Sequence, residues 1–235
     1  GSWLRDHGIK ATYAVPGRQL EQGAAVYRRL AEMGADFINH GALPHAEWRE
    51  NRYWSITFYH EMSPQEIIAD IRRGHEIVEQ IIGRPPTGFR APHFGLFQGR
   101  QQLALLHGTL KDLGYRYSTL AVPRFGFRHG PVWDVGGLYE VPLSGPYSSP
   151  LDVLDSWRYV VSPYQPVLKD EYASLFTQTV DRLLALGVPG VLNYYVDPAH
   201  VYKCGAFYRA MEYVVERQVP TLHYEELLDG ICVES

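Results

Sequence analysis

Two periods alternate along the chain. Apolar positions at three- and four-residue steps mark amphipathic helices, and short continuous apolar runs mark buried strands. Leu20, Ala24, Leu30 and Met33 predict a helix over 19–33, stopped by Gly34. Ile67, Ile71, Val78 and Ile82 predict another, opened by the capping box Ser63-Pro64-Gln65-Glu66 and closed by Gly83. Helices follow over 100–113 with a stop at Gly114, over 172–186 with Leu175, Thr179, Leu183 and Leu186 in register before Gly187, and over 207–217. Shorter ones are expected at 3–7, stopped by Gly8, and at 224–228. Strands are expected at 10–15, 35–39, 88–90, 115–119, 138–142, 191–196 and 219–222. The run at 191–196 has the unbroken apolar character of a strand buried on both faces. Residues 40–62 read as a long aromatic loop, and 122–150 as an irregular stretch rich in Gly and Pro.

Strands alternating with helices of ten or more residues imply a parallel sheet. The expected fold class is α/β, a (β/α) barrel of a distorted or incomplete seven-stranded type, with residues 1–235 as one domain. No Gly-x-Gly-x-x-Gly follows a strand, which argues against a dinucleotide fold. In a barrel the chemistry sits where strands end, and that rule selects the candidates below.

Composition narrows the function by exclusion. A net charge of -4 offers no electrostatic case for nucleic acid or an anionic membrane, and no apolar run approaches a membrane span. No signal peptide is visible, which favours a cytoplasmic location; the start at Gly1-Ser2 without Met reads as trimmed, so a removed signal stays open. Cys204 and Cys232 lack metal-ligand spacing and read as two buried thiols rather than a disulfide. The 17 Tyr and 5 Trp give slight support to a carbohydrate partner, since aromatic faces stack on sugars but more often fill cores. Nothing in the sequence indicates an oligomeric state.

His40 and His45 lie just past the strand at 35–39. Two neutral imidazoles and a carboxylate would suit zinc or another divalent metal; on spacing alone, one histidine capping the strand and the other solvated in a loop reads better. Arg90 ends the strand at 88–90, where its guanidinium could fix a carboxylate by a bidentate pair or form a structural salt bridge. Pro92 holds Ala91 extended and suits a rigid site wall. His93 reads as a cleft residue or a loop histidine. Asp197 and His200 follow the most apolar strand and are placed for acid/base work, the alternative being an Asp-Pro turn beside a surface histidine. Trp133 is a candidate for substrate contact or a structural aromatic. Glu140 sits near a strand end with no role apparent from sequence.

The ordered set resembles the polysaccharide deacetylases, carbohydrate esterase family 4, over essentially the whole chain. Leu4 to Val15 resembles the family's early helix-to-strand segment, and Gly34 to His45 its metal motif His-Ser/Thr-x-x-His. Phe89-Arg90-Ala91-Pro92 with Gly95 resembles its arginine motif. Leu110 to Tyr117, Leu138 to Leu143 and Val191 to Pro198 match later segments in the same order. The resemblance implies hydrolysis of an N-acetyl group on a sugar or glycan, with a divalent metal, zinc first, held by His40 and His45 and activating the water. A carboxylate would take the water's proton and an acid would assist the leaving amine. The chain departs from the pattern in three places. The family's Asp-Asp pair would fall ahead of Trp3. His40 and His45 are one residue further apart than usual, with Pro44 between. Asp197-Pro198 stands where the family shows His-Pro, leaving His200 as the substitute acid. The expectation is therefore a poor deacetylase as the sequence stands, through truncation or through true loss of the base. The alternative is a degenerate glycan-binding or scaffolding member; hydrolysis of a non-sugar C–N bond is a third.

Overall fold

A computed structural model describes residues 1–233. The strands are β1 (Thr12–Val15), β2 (Asp36–Asn39), β3 (Ala46–Arg49), β4 (Arg52–Ser55), β5 (Gly88–Phe89), β6 (Tyr117–Ser118), β7 (Trp133–Asp134), β8 (Tyr139–Glu140), β9 (Val160–Ser162) and β10 (Gln165–Leu168). The helices are α1 (Ser2–Asp6), α2 (Gly17–Gln22), α3 (Ala24–Glu32), α4 (Pro64–Ile82), α5 (Arg100–Asp112), α6 (Pro123–His129), α7 (Glu171–Ala185), α8 (Pro198–Val201), α9 (Gly205–Glu216) and α10 (Tyr224–Val233).

The main sheet runs β1-β2-β5-β6-β8-β7. Its first five strands pair in parallel, and only β7 is antiparallel. This is the α/β architecture of the barrel class, left open: β1 and β7 are its two ends. Buried Ile67 and Ile71 of α4 join Phe89, Leu106 and Leu110 in one core. On the same helix Ile77, Val78 and Ile81 join Val15, Leu20 and Phe37 in a second. Tyr172 and Phe176 of α7 pack with Ala210 and Met211 of α9 in a third. The Ser63–Glu66 capping box forms, and Gly83 ends α4 in the left-handed conformation.

Four expectations fail for identifiable reasons. The helix expected over 19–33 is two helices that meet at Gly23, where a Cβ would press on the ring of Tyr27. Residues 40–62 contain the β3–β4 hairpin, whose turn residues Glu50 and Asn51 both take positive φ, 52° and 57°. Such a two-residue turn matches the strand twist without a glycine to announce it. The run 191–196 is not a strand in a ladder. Tyr195 makes a single bridge to Asp155, Asn193 pairs with Ser144, and most of the run is half-buried. An apolar run fixes burial on average, not a two-sided ladder. Residues 219–222 are coil. Cys204 is a buried free thiol, while the side chain of Cys232 lies outside the described part. No described helix is long and apolar enough to cross a membrane.

Candidate active site

The loop leaving β2 is held from below by α4. Asp70, an acid on the apolar face of that helix, accepts from the backbone N–H of Ala42 at 2.9 Å and of Leu43 at 2.8 Å through Oδ1. Its Oδ2 accepts from the Tyr59 hydroxyl at 2.7 Å. Burial raises the pKa of Asp70, and these three bonds oppose that shift. Asn39 at the strand end donates to Ile71 O and to Tyr115 Oη, and its Oδ1 accepts from Gly41 N at 2.9 Å. Gly41 turns with φ 77°, and a Cβ there would overlap Oδ2 of Asp70. The sequence thus spends a glycine, an asparagine and a buried acid on the shape of one loop.

That shape brings the histidines together. The rings of His40 and His45 meet edge to face with centroids 4.3 Å apart, and His93 lies 5.9 Å from His45. His40 Nδ1 is 2.7 Å from the carbonyl of Arg90. A carbonyl only accepts, so Nδ1 carries the proton and Nε2 is the basic nitrogen. His93 donates from Nε2 to Ile56 O at 2.7 Å and takes φ 51°. His45 is 8% exposed, and its Nε2 is buried without a partner. Burial is the main cause that lowers all three pKa values, His40 to about 4, so the cluster is held neutral. The solvated-loop reading of His45 is therefore wrong.

Neutral imidazoles with a free nitrogen are what a divalent ion requires. The orphaned Nε2 of His45 and the backbone-oriented His40, an arrangement that fixes tautomer and ring angle, fit part of a ligand set. No group of three or more potential ligands assembles among the described residues.

Arg90, whose carbonyl meets His40, is 7% exposed. Its Nη2 donates to Thr119 Oγ1 at 3.1 Å, Asn193 Oδ1 at 3.2 Å and Tyr224 Oη at 2.7 Å, while its Nε has no partner. Its guanidinium carbon lies 5.6 Å from the ring of Phe94 and 5.8 Å from that of Tyr195. No carboxylate pairs with it among the described residues. Asn193 is the hub: its amide nitrogen also donates to Thr119, Val141 O and Pro142 O. Tyr195 extends the group to Asp155, whose pKa burial raises.

The segment after Tyr195 carries the remaining acid/base candidates. Asp197 caps α8 by accepting from Ala199 N at 2.8 Å. His200 is not a surface histidine. It is fully buried, with Nδ1 2.9 Å from Ser156 Oγ, its ring 4.4 Å from that of Trp157, and Nε2 unpartnered.

The sequence profile of the polysaccharide deacetylases matches residues 2–118, about half of the chain and the part that bears His40, His45 and Arg90. The chain belongs to the polysaccharide deacetylase family. No curated protein matches it significantly. Solved structures agree on the deacetylase fold. A Mycobacterium smegmatis protein described as a polysaccharide deacetylase superposes with TM-score 0.73 at 18% identity, over 98% of this chain and 74% of its own. A Bacillus cereus polysaccharide deacetylase gives 0.54 at 16%, over 95% and 84%. The same fold carries an allantoinase, with TM-score 0.63 at 11%, over 93% and 65%.

Within this family member the structure joins His40, His45, His93 and Arg90 directly, with buried Pro92 between the last two in sequence. Asp197 and His200 lie beyond Tyr195. Trp133 is elsewhere. It stacks on Phe125 at 6.5 Å and packs tilted against His129 at 5.0 Å, on the outermost strand. Glu140 gains a role: Oε1 accepts from Leu120 N and Ala121 N, and Oε2 meets Ser118 and His107, which locks the turn after β6. Sequence reasoning missed Asp70, Asn193 and Tyr224. The first two had a signal, a polar residue inside an apolar face or run; Tyr224 had none.

Proposed function

We propose that this deacetylase-family chain hydrolyses the N-acetyl group of a glycan with a divalent metal, zinc first. The observation that supports the reading is the adjacent pair His40 and His45, with Nε2 of His40 left basic by its bond to the Arg90 carbonyl and Nε2 of His45 without a partner. A divalent ion held there supplies polarisation of an acyl oxygen and a lowered pKa for water. The chain's own residues do the rest. Arg90 O fixes the His40 tautomer, and Asp70 fixes the loop. Phe94 and Tyr195, with rings 5.2 Å apart, wall the space beside the guanidinium and limit water. Asp155, whose affinity for a proton is raised by burial, is suited to hold one near Tyr195 Oη. His200 is the substitute acid that the family resemblance suggests, but burial lowers its pKa and works against protonation.

The test is release of acetate from N-acetylglucosamine oligomers with added zinc, for the chain and for His40→Ala. Slow zinc-dependent release that the variant abolishes is expected, since the family's Asp-Asp pair is not among these residues; release that survives both a chelator and the substitution would sink the reading. A second reading, glycan binding without catalysis, is favoured by Arg90 having no carboxylate partner among the described residues. Oligosaccharide binding with no acetate release under any metal would put it in front.

A further inference from the structure

A second concavity lies between α5, α6 and the end of β7, and none of His40, His45, His93 and Arg90 lines it. Its volume is about 540 Å³, within the range of small-molecule sites. The α5 face that borders it carries Leu103, Ala104 and Gly108, and Phe125 and Val135 complete the apolar lining. Gly108 contributes space. A Cβ there would meet no atom within 4 Å, so the helix tolerates a poor helix former where nothing packs against it. Three cations line the same cavity, Arg100, Lys111 and Arg128, and no carboxylate does. None of the three forms an ion pair among the described residues. Lys111 makes one long bond, 3.4 Å, to the carbonyl of Val135. Arg100 is the first residue of α5, where the positive end of the helix dipole disfavours a cation, and no acid stands in that turn. The acids close by in sequence do not compensate these charges. Asp112 and Asp134 lie outside the lining, and Oδ1 of Asp134 accepts from Gly137 N at 2.6 Å. Glu140 lies behind His107, with its oxygens held by Leu120 N, Ala121 N, Ser118 and His107 itself.

We propose that this cavity binds an elongated organic dianion, with a carboxylate or phosphate group at each end of an apolar body. The site is separate from the hydrolytic centre and does not depend on it. Arg100 and Lys111 stand at the two ends of α5. At 3.6 residues per turn they are about three turns apart, so they project from one helix face, about 16 Å from each other along the axis. A single small anion cannot meet both ends, whereas a two-ended one can. Arg128, on α6, adds a third positive charge from the neighbouring element. The apolar lining between the charges suits a hydrocarbon body. A concave site with three cations, in a chain of net charge -4, fits a small molecule rather than nucleic acid or a membrane surface.

The experiment is calorimetric titration of the chain with suberate and with hexane-1,6-diyl bisphosphate, beside the one-ended octanoate and inorganic phosphate. It is repeated for Arg100→Gln, Lys111→Gln and Gly108→Leu, with melting temperatures recorded to show that each variant is folded. At least one two-ended probe is expected to bind tenfold or more tightly than its one-ended counterpart, and the tighter of the two identifies the end group. Arg100→Gln and Lys111→Gln should each remove that advantage, and Gly108→Leu, which fills the cavity without changing its charge, should weaken the two-ended probe at least tenfold. The proposal is overturned if neither two-ended probe binds the parent chain. It is overturned equally if octanoate matches suberate and phosphate matches the bisphosphate, which would reduce the cavity to a patch of surface charge. A two-ended preference that survives both charge substitutions in folded protein places the ligand elsewhere and has the same result.

Discussion

The imidazole of His40 donates from Nδ1 to the backbone carbonyl of Arg90 at 2.7 Å, so the end of one strand aims a side chain at the end of its neighbour. β2 and β5 are parallel partners, with Asn39 opposite Phe89. The residue that follows each strand is therefore placed by the same register. A side-chain partner could rotate away; a backbone carbonyl in a parallel sheet cannot, which is why the free nitrogen of His40 has a defined direction.

His40→Ala and His45→Ala should each weaken zinc binding at least tenfold, measured by titration against a competing chelator. The metal-free melting temperature separates ligation from structure. Nε2 of His45 has no protein partner, so replacing His45 with Leu should cost metal-free stability little, because it removes an unsatisfied buried polar atom. A large loss of stability with zinc affinity intact would make His45 a structural residue.

Asp70→Ala strands three donors, Ala42 N, Leu43 N and the Tyr59 hydroxyl. Leaving buried groups unpaired costs about 1–3 kcal/mol apiece before relaxation, and the expected loss by urea unfolding is roughly 3 kcal/mol. Zinc affinity should fall with it, although Asp70 touches neither histidine. Unchanged zinc affinity in a folded Asp70→Ala protein would show that the loop holds its shape without the acid.

Gly41→Ala tests the same loop through the backbone. The residue turns at φ 77°, and its Cβ would overlap the Asp70 carboxylate. A non-glycine residue in such a conformation costs about 1–3 kcal/mol, and here the collision adds to it. The melting temperature should drop and zinc affinity should weaken together; a neutral substitution would mean that the turn is not held as described.

His200 gives a pH signature. Burial lowers its pKa below the ordinary 6.5. As pH falls through 6.5 the unfolded chain takes up a proton that the folded chain resists, so stability is full above 6.5 and declines below it. His200→Gln should flatten urea-derived stability against pH between 6.5 and 5, by at most about 1.4 kcal/mol per pH unit. An identical slope in the variant would place the buried charge elsewhere.

The helices and the parallel order were legible because each rests on local signals: the Ser63 cap, Gly83 and Gly114, and apolar positions three or four apart. The histidine pair was legible by position and by family likeness, whereas its spacing argued against it. What restored the pair was Asp70, and no local rule links residue 70 to residue 42. The 191–196 segment misled for the opposite reason. Its apolar content is real, and Asn193, the residue that matters most there, interrupts it. Tyr224 could not be read at all, since its importance lies in a hydroxyl reaching across the fold to Arg90.

That last contact, 134 residues apart in the chain, makes the C-terminal helix part of the centre. Tyr224 donates to the same Asn193 oxygen that receives Arg90, so the guanidinium, the amide and the phenol form a closed triangle with one corner on α10. A protein trimmed before Tyr224 would keep every candidate ligand and every candidate acid. It would nonetheless lose the guanidinium's shortest bond. Loss of turnover in such a trimmed protein would reflect a slackened arginine, and the tail would be misread as a reactive segment by anyone scoring activity alone.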